Sequence, residues 1–184
     1  MCHTPLLGAK FRSFLECIDE ELAQETHAGG CQRCRGVLHR NRFPRKPRGA
    51  PRDCAEAFRY RLSFSCSRCN KRHTPPSVRF LGRRVYLAAT VVLASAVRAG
   101  LSDFRVSRLT EWIRVPRQTL ERWHAWWRQA FVDTVFFVTA RGQFMPPLAE
   151  AALPASLLQR FGGTDLLSRL VAVLRFLAPL SQGR

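Results

Sequence analysis

The sequence predicts a mainly α-helical protein that carries a small β module in its first half. Three observations favour this fold class. Apolar residues recur at helical spacing in residues 9–25 and along much of 81–184, a short segment before Cys66 alternates apolar and polar residues, and two Cys-x2-Cys motifs lie on either side of that segment. With 184 residues, 46% of them hydrophobic, the chain is long enough to bury a core.

The first element is predicted to be an acidic amphipathic helix over residues 9–25, within an amino-terminal region that we bound at 1–28. Apolar side chains at helical spacing form one face, and acidic side chains are expected on the opposite, solvated face. The glycines of "HAGG" at 27–30 end the helix. The apolar face contains Phe11, Phe14, Leu15, Ile18 and Leu22, and the acidic face contains Glu16, Asp19, Glu20 and Glu21.

Residues 29–80 are predicted to form a basic module. The segment 40–53, "RNRFPRKPRGAPRD", contains three prolines, one glycine and six basic residues, so we expect a long basic loop with no packed element. The segment 58–66, "FRYRLSFSC", alternates apolar and polar residues, which is the period of a half-buried strand. That strand runs directly into the second cysteine pair.

The positive charge of the chain is concentrated in this module. Residues 31–84 hold 16 Arg or Lys and two acids, a net charge of +14 out of +17 for the whole chain. Such a surface favours a polyanionic partner, with DNA as the first candidate and RNA as the alternative, over a merely solvated basic face. The expected phosphate contacts are Arg42, Arg45, Lys46, Arg48, Arg68, Lys71 and Arg72.

Four cysteines have the spacing of a metal site. Cys31, Cys34, Cys66 and Cys69 form two Cys-x2-Cys pairs separated by 31 residues. Two tight turns that each present two thiolates complete a closed tetrahedron, which predicts a structural Zn²⁺ rather than a catalytic one; the alternative is reduced cysteines in a loop. The other three cysteines, Cys2, Cys17 and Cys54, are expected to be free thiols. Cys54, His39 and His73 are the candidates for substitute ligands.

The segment "YRLSFSCSRCNKRHTPPS" resembles the second half of the zinc ribbon at the DNA-recognition end of insertion-sequence transposases. In that family a strand enters Cys-x2-Cys, a basic turn follows, and Thr-Pro closes the module. "CQRCRG" is similar to the first knuckle of the ribbon, although the family places Gly directly after the second Cys and here Arg35 precedes Gly36. The resemblance covers about residues 29–78 and implies a small β zinc ribbon that binds DNA.

Residues 81–184 are predicted to form a helical domain. Residues 85–99 are apolar almost all round, which indicates a buried helix that Gly100 ends, and the run is shorter than the roughly 20 residues of a membrane span. Two further helices follow in "PASLLQRFGG" and "TDLLSRLVAVLRFLAPL", with Thr164 as the expected N-cap of the second. We expect that last helix to pack on the protein's own core; the alternative is a homodimer or a partner protein bound through the C-terminal helices.

Residues 107–131 are predicted to contain a helix-turn-helix. Leu109, Ile113, Val115, Leu120 and Trp123 are spaced for two helices to bury them together, the second helix beginning at about Pro116. The stretch resembles the helix-turn-helix that follows zinc ribbons in transposases; the alternative is an ordinary helical hairpin. Trp126, Trp127 and Phe131 are expected in the core or an interface. The side chains expected to contact DNA are Arg117, Gln118, Thr119, Glu121 and Arg122.

No catalytic residues are predicted. A transposase holds two metal ions with carboxylates on a sheet, but the few acidic residues after residue 85 are not surrounded by a βαβ pattern. The sequence also has neither a nucleophile motif nor a phosphate-binding loop. We therefore expect a zinc-stabilised DNA-binding protein, related to transposase recognition regions or acting as their accessory, in the cytoplasm and associated with the nucleoid. The alternatives are an RNA-binding zinc-ribbon protein, a transcriptional regulator, and, less favoured, a divergent transposase or nuclease subunit.

Overall fold

A computed structural model describes residues 8–45, 58–81, 86–96 and 115–182. The described chain is mainly α-helical with a small antiparallel sheet in its first half, as predicted, and it has a second, two-stranded sheet that was not predicted. Its helices are α1 (Ala9–Ala28), α2 (Ala88–Ser95), α3 (Arg117–Arg128), α4 (Val135–Ala140), α5 (Ala155–Arg160) and α6 (Leu166–Leu177). Its strands are β1 (Leu38–Pro44), β2 (Tyr60–Cys66), β3 (Arg72–His73), β4 (Phe80–Leu81) and β5 (Tyr86–Leu87).

The amphipathic helix α1 is confirmed and runs slightly beyond the predicted end. Phe11, Leu15 and Ile18 are buried, and the backbone N–H of Gly29 caps the helix by donating to the Glu25 carbonyl. Phe14, predicted on the buried face, is 49% exposed. The expectation that Asp19 lies on the solvated face is wrong, because a segment almost sixty residues further along the chain packs on it and supplies hydrogen-bond donors.

The three-stranded sheet has the order β1-β2-β3, with both pairs antiparallel. The strand predicted to enter the second cysteine pair is confirmed as β2, which begins at Tyr60. The prediction of no packed element from residue 40 is wrong for residues 40–44, since β1 pairs with β2 from Leu38 opposite Cys66 to Pro44 opposite Tyr60. Pro44 fits because it stands at the end of an outer strand, where a missing N–H breaks little of the hydrogen-bond ladder.

Two clusters of buried residues organise the described chain. The smaller one surrounds the cysteines and consists of Ala23, Cys31, Leu38, Leu62, Phe64 and Cys66. The larger one gathers the apolar faces of the helices that follow the sheet. Helix α1 contributes to both, with Ala23 in the smaller cluster and Phe11, Leu15 and Ile18 in the larger, so it connects the cysteine region to the helical region.

Helix α2 is buried almost all round, as predicted, but shorter than predicted. Residues 86–87 pair with β4 in a two-stranded sheet, Phe80 opposite Leu87, and this pairing delays the helix until Ala88. Gly100, the predicted stop, lies outside the described residues. Within the described ranges, no helix has both the length and the apolar character needed to cross a bilayer.

The last helices pack on the protein's own core, as expected. Trp127 and Phe131 are fully buried with their rings 4.8 Å apart, and α4, which was not predicted, adds Phe137 to the same stack. Helix α6 buries an apolar face in the larger cluster. The predicted N-cap was wrong by one residue: Asp165, not Thr164, caps α6, its Oδ1 accepting from Ser168 N at 2.8 Å, because a carboxylate presents an acceptor to the first turn.

Candidate metal centre and basic surface

The four predicted ligand sulfurs lie together. The Sγ atoms of Cys31, Cys34, Cys66 and Cys69 are all within 4.8 Å of one another, with 3.4 Å between Cys34 and Cys66 and 3.6 Å between Cys31 and Cys69. None of the four is in a disulfide. A tetrahedral zinc with Zn–S bonds of about 2.3 Å separates its sulfurs by about 3.8 Å. The sulfur positions therefore fit a four-thiolate metal site.

The two cysteine turns have the same backbone hydrogen bonds. In the first turn, the Cys31 carbonyl accepts from Arg35 N at 2.8 Å and Cys31 N donates to the Gly36 carbonyl at 3.0 Å. In the second turn, the Cys66 carbonyl accepts from Asn70 N at 3.1 Å and Cys66 N donates to the Lys71 carbonyl at 3.1 Å. Each turn therefore orients its pair of sulfurs in the same way, although their sequences share only the two cysteines and the arginine before the second one.

The residue that follows each second cysteine is left-handed. Arg35 has φ 58° and Asn70 has φ 54°, a region in which glycine carries no steric cost and asparagine carries little. Arg35 therefore forms the turn in a backbone region that favours glycine. Gly36 has a separate role, since a Cβ at that position would stand 2.9 Å from Cys66 Sγ, where the two turns meet.

Backbone amides around the sulfurs favour thiolate at particular cysteines. The pKa of Cys66 is lowered to about 6, chiefly by the backbone N–H of Cys69 and against the effect of burial. For Cys34, the backbone N–H of Gly36 acts to lower the pKa, but the neighbouring thiols, Cys66 above all, and burial raise it to about 12. A bound cation would displace the remaining thiol protons, because a metal-bound thiol is deprotonated.

His73 contacts the cluster without completing it. Its Nε2 lies 3.3 Å from Cys31 Sγ, a distance at which an N–H can donate to a ligand sulfur and fix its orientation. His39, the other histidine considered as a substitute ligand, is exposed on β1 opposite Ser65. Cys17 is exposed on α1, and both Cys2 and Cys54 lie outside the described residues.

The described parts of the basic module contain no acidic residue. Residues 29–45 and 58–81 hold eleven Arg or Lys and neither Asp nor Glu. Helix α1 supplies carboxylates to two of them: Glu20 Oε2 accepts from Arg40 at 2.7 Å, and Asp19 pairs with Arg79. Of the predicted phosphate contacts, four are exposed, Arg45 is half-buried, and Lys46 and Arg48 lie outside the described residues; the exposed four are Arg42, Arg68, Lys71 and Arg72.

Phe43 is a residue of this surface that the sequence did not single out. The guanidinium carbon of Arg45 lies 4.2 Å from the centroid of the Phe43 ring, and that of Arg72 lies 5.6 Å from the same centroid. Phe43 is half-exposed at the end of β1. Phe43 is the lone aromatic residue among the basic residues of 40–53, and this could have marked it as part of the basic surface. The prolines of the segment led instead to the prediction of a loop.

Helix α3 presents most of the side chains predicted to contact DNA. It begins directly after Pro116, and Arg117, Gln118, Glu121 and Arg122 are exposed, with Arg117 Nε 2.9 Å from Glu121 Oε1. Thr119 is 5% exposed and faces the interior, so its side chain does not share that surface. Residues 107–113, the first helix of the predicted helix-turn-helix, lie outside the described residues.

Comparison with known proteins adds no functional assignment. No family model matches the chain, and searches of curated proteins and of solved structures return no match. What the site can do follows from its own chemistry. Four convergent sulfurs can hold a thiophilic metal ion, and exposed arginine and lysine side chains can bind phosphate groups.

Proposed function

We propose that this protein is a zinc-stabilised DNA-binding protein, related to the recognition region of insertion-sequence transposases or acting as their accessory. The observation that carries the proposal is the convergence of four cysteine sulfurs at one end of a sheet whose three strands carry four arginines and no acidic residue. Zinc is favoured among metals because four thiolates in tetrahedral reach form the ligand set of structural zinc sites.

The metal has a structural role in this proposal. Among the described residues, the cluster around the cysteines has four apolar members besides the two buried cysteines, too few to hold a sheet against chain entropy. A structural zinc site contributes on the order of 10 kcal/mol of folding free energy, which supplies the missing stability. With four protein ligands no coordination position is left for a substrate, so the ion fixes the basic surface in place.

The basic surface supplies affinity, and α3 supplies sequence preference. Arg68 and Lys71 lie within and directly after the second cysteine turn, so the metal-bound turn orients them toward a backbone phosphate. Arg117 and Gln118 are exposed in the first turn of α3; Arg pairs with guanine and Gln with adenine in the major groove. To contact a base, Arg117 must give up its ion pair with Glu121. Binding is therefore favoured only at sequences whose base forms hydrogen bonds strong enough to replace that ion pair.

Metal content followed by selection from random DNA duplexes tests the proposal. We expect one zinc per chain, enrichment of a defined sequence, and a relaxed preference in Arg117→Ala and Gln118→Ala. Lys71→Ala should weaken binding to all duplexes alike and reduce the salt dependence by about one phosphate contact. A protein that stays folded without metal overturns the structural role, and structured RNA that displaces every duplex moves the function to RNA.

A matched cysteine pair separates the metal site from thiol chemistry in general. Cys69→Ser removes one proposed ligand, while Cys17→Ser removes an exposed thiol of α1 far from the ligand set in sequence. We expect the first variant to lose zinc and DNA binding together and the second to keep both. Equal zinc content in the two variants contradicts the assignment of ligands.

A further inference from the structure

Phe43, Arg45 and Arg72 form a cluster on one face of the three-stranded sheet. Residues that pair across β1, β2 and β3 share a face, and the register places Ser65 opposite both His39 and Arg72. By strand alternation Ser63, Ser65 and Phe43 lie on that face. The small serines of β2 leave room for Arg72 to extend over the sheet from β3 to the Phe43 ring on β1, the same ring that the Arg45 guanidinium contacts.

The ring restricts both guanidiniums before any ligand arrives. A guanidinium within about 6 Å of an aromatic centroid is attracted to the ring face, and both Arg45, at 4.2 Å, and Arg72, at 5.6 Å, meet that condition. Two long side chains that are already ordered lose less conformational entropy on binding than free ones. The geometry therefore presents two planar sets of N–H donors around one aromatic ring.

Within the described part of the chain, no carboxylate forms an ion pair with this cluster. Among the ion pairs of the described residues, none includes Arg45 or Arg72. The pKa of Arg45 is lowered by partial burial and then by the charge of Arg72. A third guanidinium, that of Arg61, is 6% exposed, and its pKa is lowered to about 10, first by burial. The charge of Asp19 acts to raise the pKa of Arg61, and the charges of Arg45 and Arg79 act to lower it. An anion bound at Arg45 and Arg72 relieves the repulsion between those two charges.

We propose that Arg45 and Arg72 clamp one phosphodiester group of a nucleic-acid backbone, and that Phe43 is the positioning residue that holds the two guanidiniums in place. A phosphodiester carries two non-bridging oxygens that match the paired N–H donors of guanidinium groups. The inference rests on the proposed nucleic-acid binding and adds where one phosphate is held and by which residues. Because the contact is to the backbone, it contributes affinity and no base preference.

Salt-dependent binding of the zinc-loaded full chain to a labelled DNA duplex tests the clamp. We expect Arg45→Ala and Arg72→Ala each to weaken binding several-fold. Because the two arginines share one phosphate, the double variant should flatten the slope of log affinity against log salt by about 0.9, not by the about 1.8 of two independent contacts. Lys10→Ala, which removes one exposed charge from the first turn of α1, is the control and should leave the slope unchanged.

Phe43 is tested through its dependence on the arginines. Phe43→Leu keeps an apolar side chain but removes the π face, and we expect about a threefold loss of affinity in the wild-type background. The same substitution should have no effect when Arg45 and Arg72 are already alanine, whereas a purely structural role would weaken both backgrounds equally. Phe43→Tyr keeps the ring face and should bind like the wild type.

Further measurements distinguish a nucleic-acid phosphate from free phosphate, and failure of the clamp from failure of the proposed function. Arg45→Lys with Arg72→Lys keeps the charge but not the planar donors, and should remain weaker than the wild type. Inorganic phosphate at millimolar concentration should compete weakly; tight binding of free phosphate reassigns the cluster to a small anion and overturns the clamp. DNA binding that is intact in the double alanine variant overturns the clamp alone, while absence of any nucleic-acid binding by the zinc-loaded wild type overturns the proposed function and the clamp together.

Discussion

Asp19 and Arg79 form a buried ion pair in which Arg79 Nε lies 2.7 Å from Asp19 Oδ2. Asp19 is 4% exposed and also accepts hydrogen bonds from Ser77 Oγ at 2.6 Å and from Val78 N at 2.7 Å. The segment Ser77–Arg79 leads from the cysteine-bearing sheet to β4. Ser77 N also donates to Ser181 Oγ at 2.8 Å, so this one segment joins the first helix, the sheet and the carboxyl-terminal turn.

Replacing Asp19 by alanine should destabilise the protein by about 3–5 kcal/mol, since removal of one partner leaves the other charge buried and incompletely paired. Glu16, which contacts Arg79 at 3.1 Å, compensates only in part because it is largely exposed. Chemical denaturation measures the change. Glu25→Ala, an exposed carboxylate of the same helix, serves as the control and should change stability by less than about 0.5 kcal/mol. Similar effects of the two substitutions would contradict the role of Asp19.

Arg35→Gly should stabilise the zinc-loaded protein by about 1 kcal/mol, because Arg35 occupies the left-handed region at a cost that glycine does not have. Asn70→Gly should gain less, since asparagine tolerates this region better than arginine does. Thermal unfolding of the loaded proteins measures both. Arg33→Gly, in the same turn but without positive φ, provides the control and should destabilise. Stabilisation by Arg33→Gly and Arg35→Gly but not by Asn70→Gly would show that charge rather than conformation is responsible.

Gly36→Ala should weaken zinc binding by about tenfold, because overpacking typically costs about 1–3 kcal/mol. The added Cβ would stand 2.9 Å from Cys66 Sγ, closer than carbon and sulfur can approach, so the ligand must move. Competition with a chelator of known affinity measures the effect. The matched control is Gly142→Ala, where an added Cβ meets no atom within 4 Å. Unchanged zinc affinity of Gly36→Ala would mean that Cys66 Sγ lies farther from Gly36 in the zinc-loaded protein.

The sequence predicted features whose signal is local. Two Cys-x2-Cys pairs define their own turns wherever they lie, and the apolar stripe of α1 and the alternation before Cys66 have periods visible within a few residues. It did not predict features that depend on distant partners. The sequence around Asp19 does not show whether solvent or a protein group donates hydrogen bonds to its carboxylate. Only the fold brings Ser77 to Asp19.

The basic segment shows the same limit. Prolines and arginines at 40–44 predicted a loop, but pairing with β2 imposes a strand on these residues and so directs the Phe43 ring toward Arg72, almost thirty residues away in the chain. The cation–π cluster has no local pattern, because its members come from two strands and a loop. The candidate ligands could be identified from sequence alone, whereas the organisation of the cationic surface required the sheet register.

Lowering the pH from 7.5 to 5.5 should destabilise the wild type more than His124→Gln. Burial, and then the charge of Arg128, lower the pKa of His124 below its ordinary value of 6.5, although a backbone hydrogen bond with Ala94 acts in the opposite direction. At pH 7.5 the imidazole is neutral in both states and its titration contributes nothing. As the pH falls below 6.5, the unfolded chain takes up the proton more readily than the folded one, so stability is lost. Denaturation of both zinc-loaded proteins across this range measures the difference, and parallel pH profiles would contradict it.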